Sequence, residues 1–273
     1  MLDFYYKTTK DDEFHNIDQP REGCWVHVDL ASIEDLNQIA QLTGLEYSDL
    51  QDCLDRYELP RIERIKDHLI IFIRYPNDHD AGFYTSVLTM ILSSKFFITI
   101  SPLRSPFIQS FLMRKTKLAT EQRSKILIHL LLKMTQDFTS EIKRVRHNVI
   151  RQEKEMINVD SDDITALTKN EEILNQYQSA LSPTIQVLAA ITSGRYADLY
   201  EKEQSLIEDL LNSAKQSEDV CTNNLKSIRS LRDSYQIIFT NNLHKTIKLL
   251  TALTIIFSIP TMIASLYGMN VDL

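Results

Sequence analysis

At 273 residues with 43% hydrophobic content, the chain is long enough for one substantial core or two modest ones, which excludes a compositionally disordered polymer. Five glycines and seven prolines are too few for the many tight turns of a sandwich or barrel, so a mostly helical chain is expected. A net charge of -7 argues against a general nucleic-acid binder, and Cys24, Cys53 and Cys221, widely spaced and without a C-x-x-C pair, read as reduced, buried thiols rather than a disulfide framework or zinc site.

The start, Met1-Leu2-Asp3-Phe4, has neither a basic region nor a continuous apolar region, so nothing there directs export and the bulk of the chain is expected in the cytosol. The first hundred residues alternate short apolar runs with short helical patterns, the mark of an α/β segment. Trp25 to Val28 reads as a strand, and Ser32-Ile33-Glu34-Asp35 resembles a capping box that starts a helix toward Leu42. A second short helix covers Tyr47 to Leu54. Three strands then follow: Arg61 to Tyr75, with its β-branched run Ile70 to Ile73; Phe83 to Leu92; and Phe96 to Ile100. Asn77 to Gly82 is the expected turn between the first two.

From Ser124 the period changes. Ile126, Leu130, Met134, Phe138, Ile142, Val145 and Val149 recur every three or four residues, which predicts a long amphipathic helix. After a polar turn at Asn158 to Asp162, Ile164, Leu167, Leu174, Leu181, Ile185, Leu188 and Ile191 repeat the pattern as the returning arm of a helical hairpin, with Pro183 as a potential kink. Between Gly194 and Pro260 there is neither Gly nor Pro, so about 65 residues can run as one helix of roughly 98 Å at 1.5 Å per residue. Leu210, Ala214, Cys221, Leu225, Ile228, Leu231, Tyr235, Ile238 and Leu243 give it an intermittent seam, interrupted by Ser217 and Asn224. Such a seam needs neighbouring helices, from the hairpin or from other subunits.

The run from Leu249 to Val271 holds 23 residues without a charge, enough to cross a hydrocarbon core. His244, Lys245 and Lys248 precede it and no Lys or Arg follows, which places the long N-terminal part in the cytosol and Asn270 outside. Within the run, Thr254, Ser258, Thr261 and Ser265 step by four, three and four residues onto one helix face. A packing stripe and a pore wall both account for that face, and they are compatible, because a pore made from single helices requires several copies in contact. Ile247 and Leu250 continue the face toward the cytosol, where rings of apolar side chains would gate by dewetting. Pro260 leaves the carbonyl of Ile256 without its normal donor.

At the end of this helix stands Tyr267-Gly268-Met269-Asn270, and here the sequence resembles the CorA family of magnesium/cobalt transporters. The triplet Gly268-Met269-Asn270 closes a Thr-rich, Pro-containing membrane helix, Ile259 to Tyr267, that follows an uninterrupted stalk, a helical hairpin and an α/β domain in the family's order. Leu59-Pro60-Arg61-Ile62 also resembles a family stretch, whose usual form has Arg-Pro-Lys. The resemblance implies an α+β fold: an α/β domain over residues 1–120, an antiparallel helical hairpin over 121–195, a stalk helix over 196–248 and a pore helix over 249–270.

It further implies a funnel-shaped homopentamer in the plasma (inner) membrane that carries Mg²⁺, with Co²⁺ or Ni²⁺ as further candidates. Asn270 would ring the outer mouth, although Asn is also a common helix cap. Thr261 would form a second polar ring, and Asp209, 61 residues before Asn270, would sense cytosolic Mg²⁺. Ser258 stands where relatives commonly carry Met. The sequence stops three residues after Asn270, before the second membrane helix that the resemblance implies, so that helix is expected to be absent from this chain. Zinc-moving relatives share this architecture, and a single-span scaffold with a helical stalk is a further alternative. An enzyme is not expected: the sequence has no H-E-x-x-H, Walker loop, nucleophile elbow or paired His cluster, and no organic cofactor is implied.

Overall fold

The computed structural model describes residues 2–80, 82–155, 161–194, 196 and 201–268. The chain divides into two compact units, Met1–His147 with Glu172–Leu225, and Asn148–Glu171 with Lys226–Leu273. The architecture is mixed α+β, with an N-terminal sheet domain and a long C-terminal helix, as expected.

The sheet of the first unit has seven strands in the order β2-β1-β3-β7-β6-β5-β4. They are β1 (Leu2–Tyr6), β2 (His15–Ile17), β3 (Trp25–Val28), β4 (Arg61–Ile65), β5 (His68–Asp80), β6 (Phe83–Leu92) and β7 (Phe97–Ile100). Every neighbouring pair is antiparallel except β3 with β7, where Trp25 faces Phe97 and Val28 faces Ile100 in parallel register. Strand alternation sends Val26, Val28, Ile70, Phe72, Ile98 and Ile100 to one buried face. There they meet Leu36 and Ile39 of α1 (Ile33–Thr43) and Leu50 of α2 (Tyr47–Leu50). The opposite face is aromatic: Trp25 packs edge-on against Phe111, and Tyr75 stacks on Phe107, both from α3 (Pro106–Leu112). With both faces covered, Phe72 is fully buried, and Phe72→Ala there costs about 3–5 kcal/mol.

The helix α1 begins and ends for local reasons. Ser32 accepts from the Asp35 backbone while Asp35 reaches back to the Ser32 N–H, the expected capping box, and Gly44 in the left-handed region (φ 78°) donates to the carbonyl of Ala40. The predicted helix over Tyr47 to Leu54 is α2 followed by a 3₁₀ turn, Gln51–Leu54.

Two expectations are corrected. Arg61 to Tyr75 is not one strand but β4 and the start of β5, folded back at Lys66 and Asp67 so that Ile65 pairs with His68. The turn expected over Asn77 to Gly82 is shorter, because β5 pairs on to Asp80, with an irregularity in register between Pro76 and Asp80. The polar turn predicted at Asn158 to Asp162 lies largely outside the described residues, and α5 has already begun at Ser161.

Three long helices complete the chain: α4 (Arg123–Glu155), α5 (Ser161–Thr192, with Pro183 inside it) and α6 (Glu201–Tyr267). At 67 residues and 1.5 Å per residue, α6 is about 100 Å long. In the first unit these helices touch: the Phe138 ring meets Tyr177 edge-on at 5.5 Å, and the Cys221 thiol donates to the Leu174 carbonyl at 3.3 Å. Ser217, which seemed to break the seam, is buried and shares a 2.7 Å hydrogen bond with Thr139. In the second unit, Glu171 accepts from Nε of Arg229 at 2.7 Å and also from Arg232.

All three cysteines are free and buried. Burial raises the Cys24 thiol and pushes those of Cys53 and Cys221 up to about 12.

Candidate ion-conducting helix

The sequence of α6 sets where its side chains can go. Up to Tyr235 the helix buries a stripe that includes Ile207, Leu210, Ala214, Cys221, Leu225, Ile228 and Tyr235. From Gln236 to Gly268 no side chain is buried, although this stretch carries the most apolar residues of the helix. Ile247, Leu250, Ile256, Phe257 and Met262 are each more than half exposed. A soluble core helix would bury such a run; among the described residues α6 is the one helix long and apolar enough to cross a membrane, and its apolar window is entirely exposed.

At 100° per residue, Ile247, Leu250, Thr254, Ser258, Thr261 and Ser265 fall on one face of this exposed segment, and Gly268 follows at its end. The same spacing carries the face back through Leu243 and Thr240 to Gln236, an extension that the three-four pattern of the sequence already contained. Three of the four hydroxyls on this face bond back to their own helix. Thr254 donates to the carbonyl of Leu250 at 2.9 Å, Ser258 to that of Ile255 at 3.0 Å and Thr261 to that of Phe257 at 2.8 Å. Each O–H is thus used inside the helix, and what the oxygen offers outward is its lone pairs. At these three positions the face accepts hydrogen bonds and does not compete as a donor.

Pro260 sits inside α6, which continues through it to Tyr267. Because Pro260 brings no N–H, the helix lacks one rung at Ile256 within the hydroxyl-bearing segment. Met269 and Asn270 lie outside the described residues.

Asp209 and its neighbour Glu208 are exposed on α6. Among the described residues no group of three or more His, Cys, Asp or Glu side chains converges on a common point. A metal site at Asp209 therefore needs ligands from beyond these residues or from another copy.

Comparison with known proteins identifies the family. The family described as CorA-like Mg²⁺ transporter protein matches residues 21–273. The cobalt/magnesium transport protein CorA of Methanocaldococcus jannaschii is 23% identical over 248 residues, covering 87% of this chain and 76% of that protein. The complete structure of the CorA magnesium transporter from the same organism superposes with a TM-score of 0.76 at 18% identity, over 100% of this chain and 88% of its own. The full-length CmaX protein superposes with a TM-score of 0.75 at 16% identity, over 99% of this chain and 87% of its own. At these identities the structural likenesses establish the fold, and the match across residues 21–273 establishes membership: the chain belongs to the CorA-like Mg²⁺ transporter family.

Proposed function

We propose that the protein is a channel subunit that conducts Mg²⁺ into the cytosol through a pore made by five copies of the last segment of α6, in the plasma (inner) membrane. The observation that carries this reading is the exposed face of Ile247, Leu250, Thr254, Ser258, Thr261 and Ser265, whose hydroxyls at Thr254, Ser258 and Thr261 donate inward and leave acceptor oxygens outward.

The chemistry suits a hydrated ion. Mg²⁺ gives up its water reluctantly, and the hydrogens of its water shell point away from the metal. Lone pairs on Thr254, Ser258 and Thr261 can accept those hydrogens without binding the metal so tightly that it stalls. At the outer mouth the amide oxygens of Asn270 act in the same manner, with Gly268 and Met269 placing them. At the cytosolic end Ile247 and Leu250 form apolar rings that close by excluding water. His244, Lys245 and Lys248 hold that end at the cytosolic surface.

Asp209 is the regulatory position. Repulsion between carboxylates at subunit interfaces is relieved by bound Mg²⁺, so sufficient cytosolic metal favours closure. Membership in a transporter family supports this reading over a single-span spacer. Co²⁺ or Ni²⁺ would pass by the same chemistry, and zinc would compete for it.

The test is Mg²⁺ uptake by liposomes containing the protein, parent against Asn270→Ala. Uptake is expected to collapse in the variant; equal uptake by both removes Asn270 as the entrance filter.

A further inference from the structure

A cleft in the first unit has the composition of a small-molecule site and lies outside the conduction segment. Its floor is Arg74 of β5, only 8% exposed. Beyond Phe72 the strand β5 has no strand partner on the β4 side among the described residues, because pairing with β4 stops where Arg61 meets Phe72. The loop that precedes β4 crosses the gap, and Arg74 fastens it there. Its Nη1 donates to the carbonyls of Arg56 and Glu58 at 3.1 and 3.0 Å, its Nε to the Thr85 hydroxyl at 2.9 Å and its Nη2 to the Thr85 carbonyl at 3.1 Å.

Every one of those acceptors is a neutral oxygen. They use four of the five N–H groups of a guanidinium, so one remains. Among the described residues no carboxylate forms an ion pair with Arg74; Asp55 reaches it only through its field. Burial depresses the Arg74 pKa, the sign of a cation that has lost its water without gaining an anion.

The walls complete the site. On one side the loop that Arg74 fastens presents Tyr57 and Leu59, and the Tyr57 ring meets Phe83 edge-on at 5.5 Å. These three side chains are exposed by 66%, 58% and 41%, an apolar surface left open among the described residues of the first unit. On the other side stands α5, locked in place by Gln176, which accepts from the Tyr84 N–H at 2.9 Å and donates to the Gly82 carbonyl at 2.7 Å. Ser179 and Glu172 line the α5 side. The cleft is open on its solvent side and holds about 360 Å³, within the range of small-ligand clefts.

We propose that this cleft binds a small organic acid, with its carboxylate on the free N–H of Arg74 and its apolar body against Tyr57, Leu59 and Phe83. The exposed carboxylate of Glu172 opposes a second negative charge, so the ligand is a monoanion and not a polyphosphate. An anion there adds a charge-assisted hydrogen bond to a buried cation, while ring and aliphatic surface leave water together.

The test is calorimetric titration of the whole chain in detergent with benzoate, against benzylamine as the cation of like shape. Benzoate is expected to bind saturably and benzylamine not at all. Arg74→Lys, which keeps the charge but loses the planar fork, and Ser179→Trp, which fills the cleft from the exposed side of α5, are each expected to weaken benzoate by about tenfold or more. Ser179→Trp leaves the hydrogen bonds of Arg74 intact, so it decides the matter even where Arg74→Lys disturbs the loop. No saturable binding of benzoate, equal binding of benzylamine, or unchanged affinity in Ser179→Trp overturns the site. Because the assay reads binding and not ion flux, its outcome is independent of whether α6 lines a pore.

Discussion

The hydroxyl of Thr254 donates to the carbonyl of Leu250 at 2.9 Å, one helical turn behind it. Its oxygen is therefore an acceptor toward whatever lies beside the helix. Thr254→Val keeps the shape and removes that acceptor, whereas Thr254→Ser keeps it. In liposome flux, Val is expected to slow Mg²⁺ by about tenfold, the equivalent of one lost hydrogen bond, and Ser to stay within about twofold of the parent. Equal flux in all three would place Thr254 away from the ion path.

Metal removal should act at a distance through Asp209. With EDTA the parent is expected to be cleaved by trypsin faster than in millimolar Mg²⁺, since bound metal draws together groups that otherwise repel. Asp209→Asn is expected to lose that difference and to show one rate in both conditions. A variant that retains full metal protection would exclude Asp209 as a ligand.

Acid should weaken the sheet through His27. Thr99 Oγ1 accepts from the Trp25 indole N–H at 2.9 Å and shares a second hydrogen bond with His27 Nδ1 at 2.9 Å, which leaves the other ring nitrogen outside this pair. That nitrogen, Nε2, has no hydrogen-bond partner among the described residues, and Asp29 is 4.0 Å away. Burial lowers the His27 pKa below 6.5, against the opposing pull of Asp29 and Asp3. The unfolded chain then takes up a proton before the folded one does, so this contribution is complete above pH 6.5 and is lost as pH falls toward the folded value. Thermal melting between pH 7 and pH 5 should show a smaller decline for His27→Gln than for the parent.

Asn224 is buried on α6, and its Nδ2 lacks a partner among the described residues. Asn224→Leu removes an amide that folding strips of water, and the expected gain is about 1 kcal/mol, or roughly 2–4 °C in melting temperature for a unit of this size. A lower melting temperature would mean that another copy or an ordered water satisfies the amide.

Much of the architecture was legible because local chemistry and tertiary demand agreed. Ser32 and Asp35 form the capping box that their spacing advertised, and the apolar period from Ile126 to Val149 is a buried helix face. The hairpin between β4 and β5 was hidden because Lys66 and Asp67 carry no Gly, Asn or Pro signal. Lys66 nevertheless adopts φ 54°, held by its amine on the Gly44 carbonyl at 3.0 Å, a contact that only the folded chain supplies. The strands β1 and β2 were missed for a different reason: every residue of β1 is half-buried, so no alternation marks it. For α3 the signal was present and unused, with Ser105 as cap and Pro106 in the first turn. On the face of Thr254, Ser258 and Thr261, periodicity placed the hydroxyls together, but the direction of their hydrogens follows from helix geometry. Arg74 stood out only as a charge inside an apolar strand, and the neutrality of its acceptors required the loop to be folded over it.

The parallel pairing of β3 with β7 also orders events at the ribosome. Both β1 and β2 reach the rest of the sheet only through β3, and β3 reaches it only through Phe97 to Ile100. The strands β1 to β3 thus cannot join the rest of the sheet until residue 100 has emerged, while β4 to β6 can already close as neighbouring hairpins. A nascent chain stalled before β7 would display the β7-facing edge of the Trp25 strand unpaired, an edge open to association while it lasts.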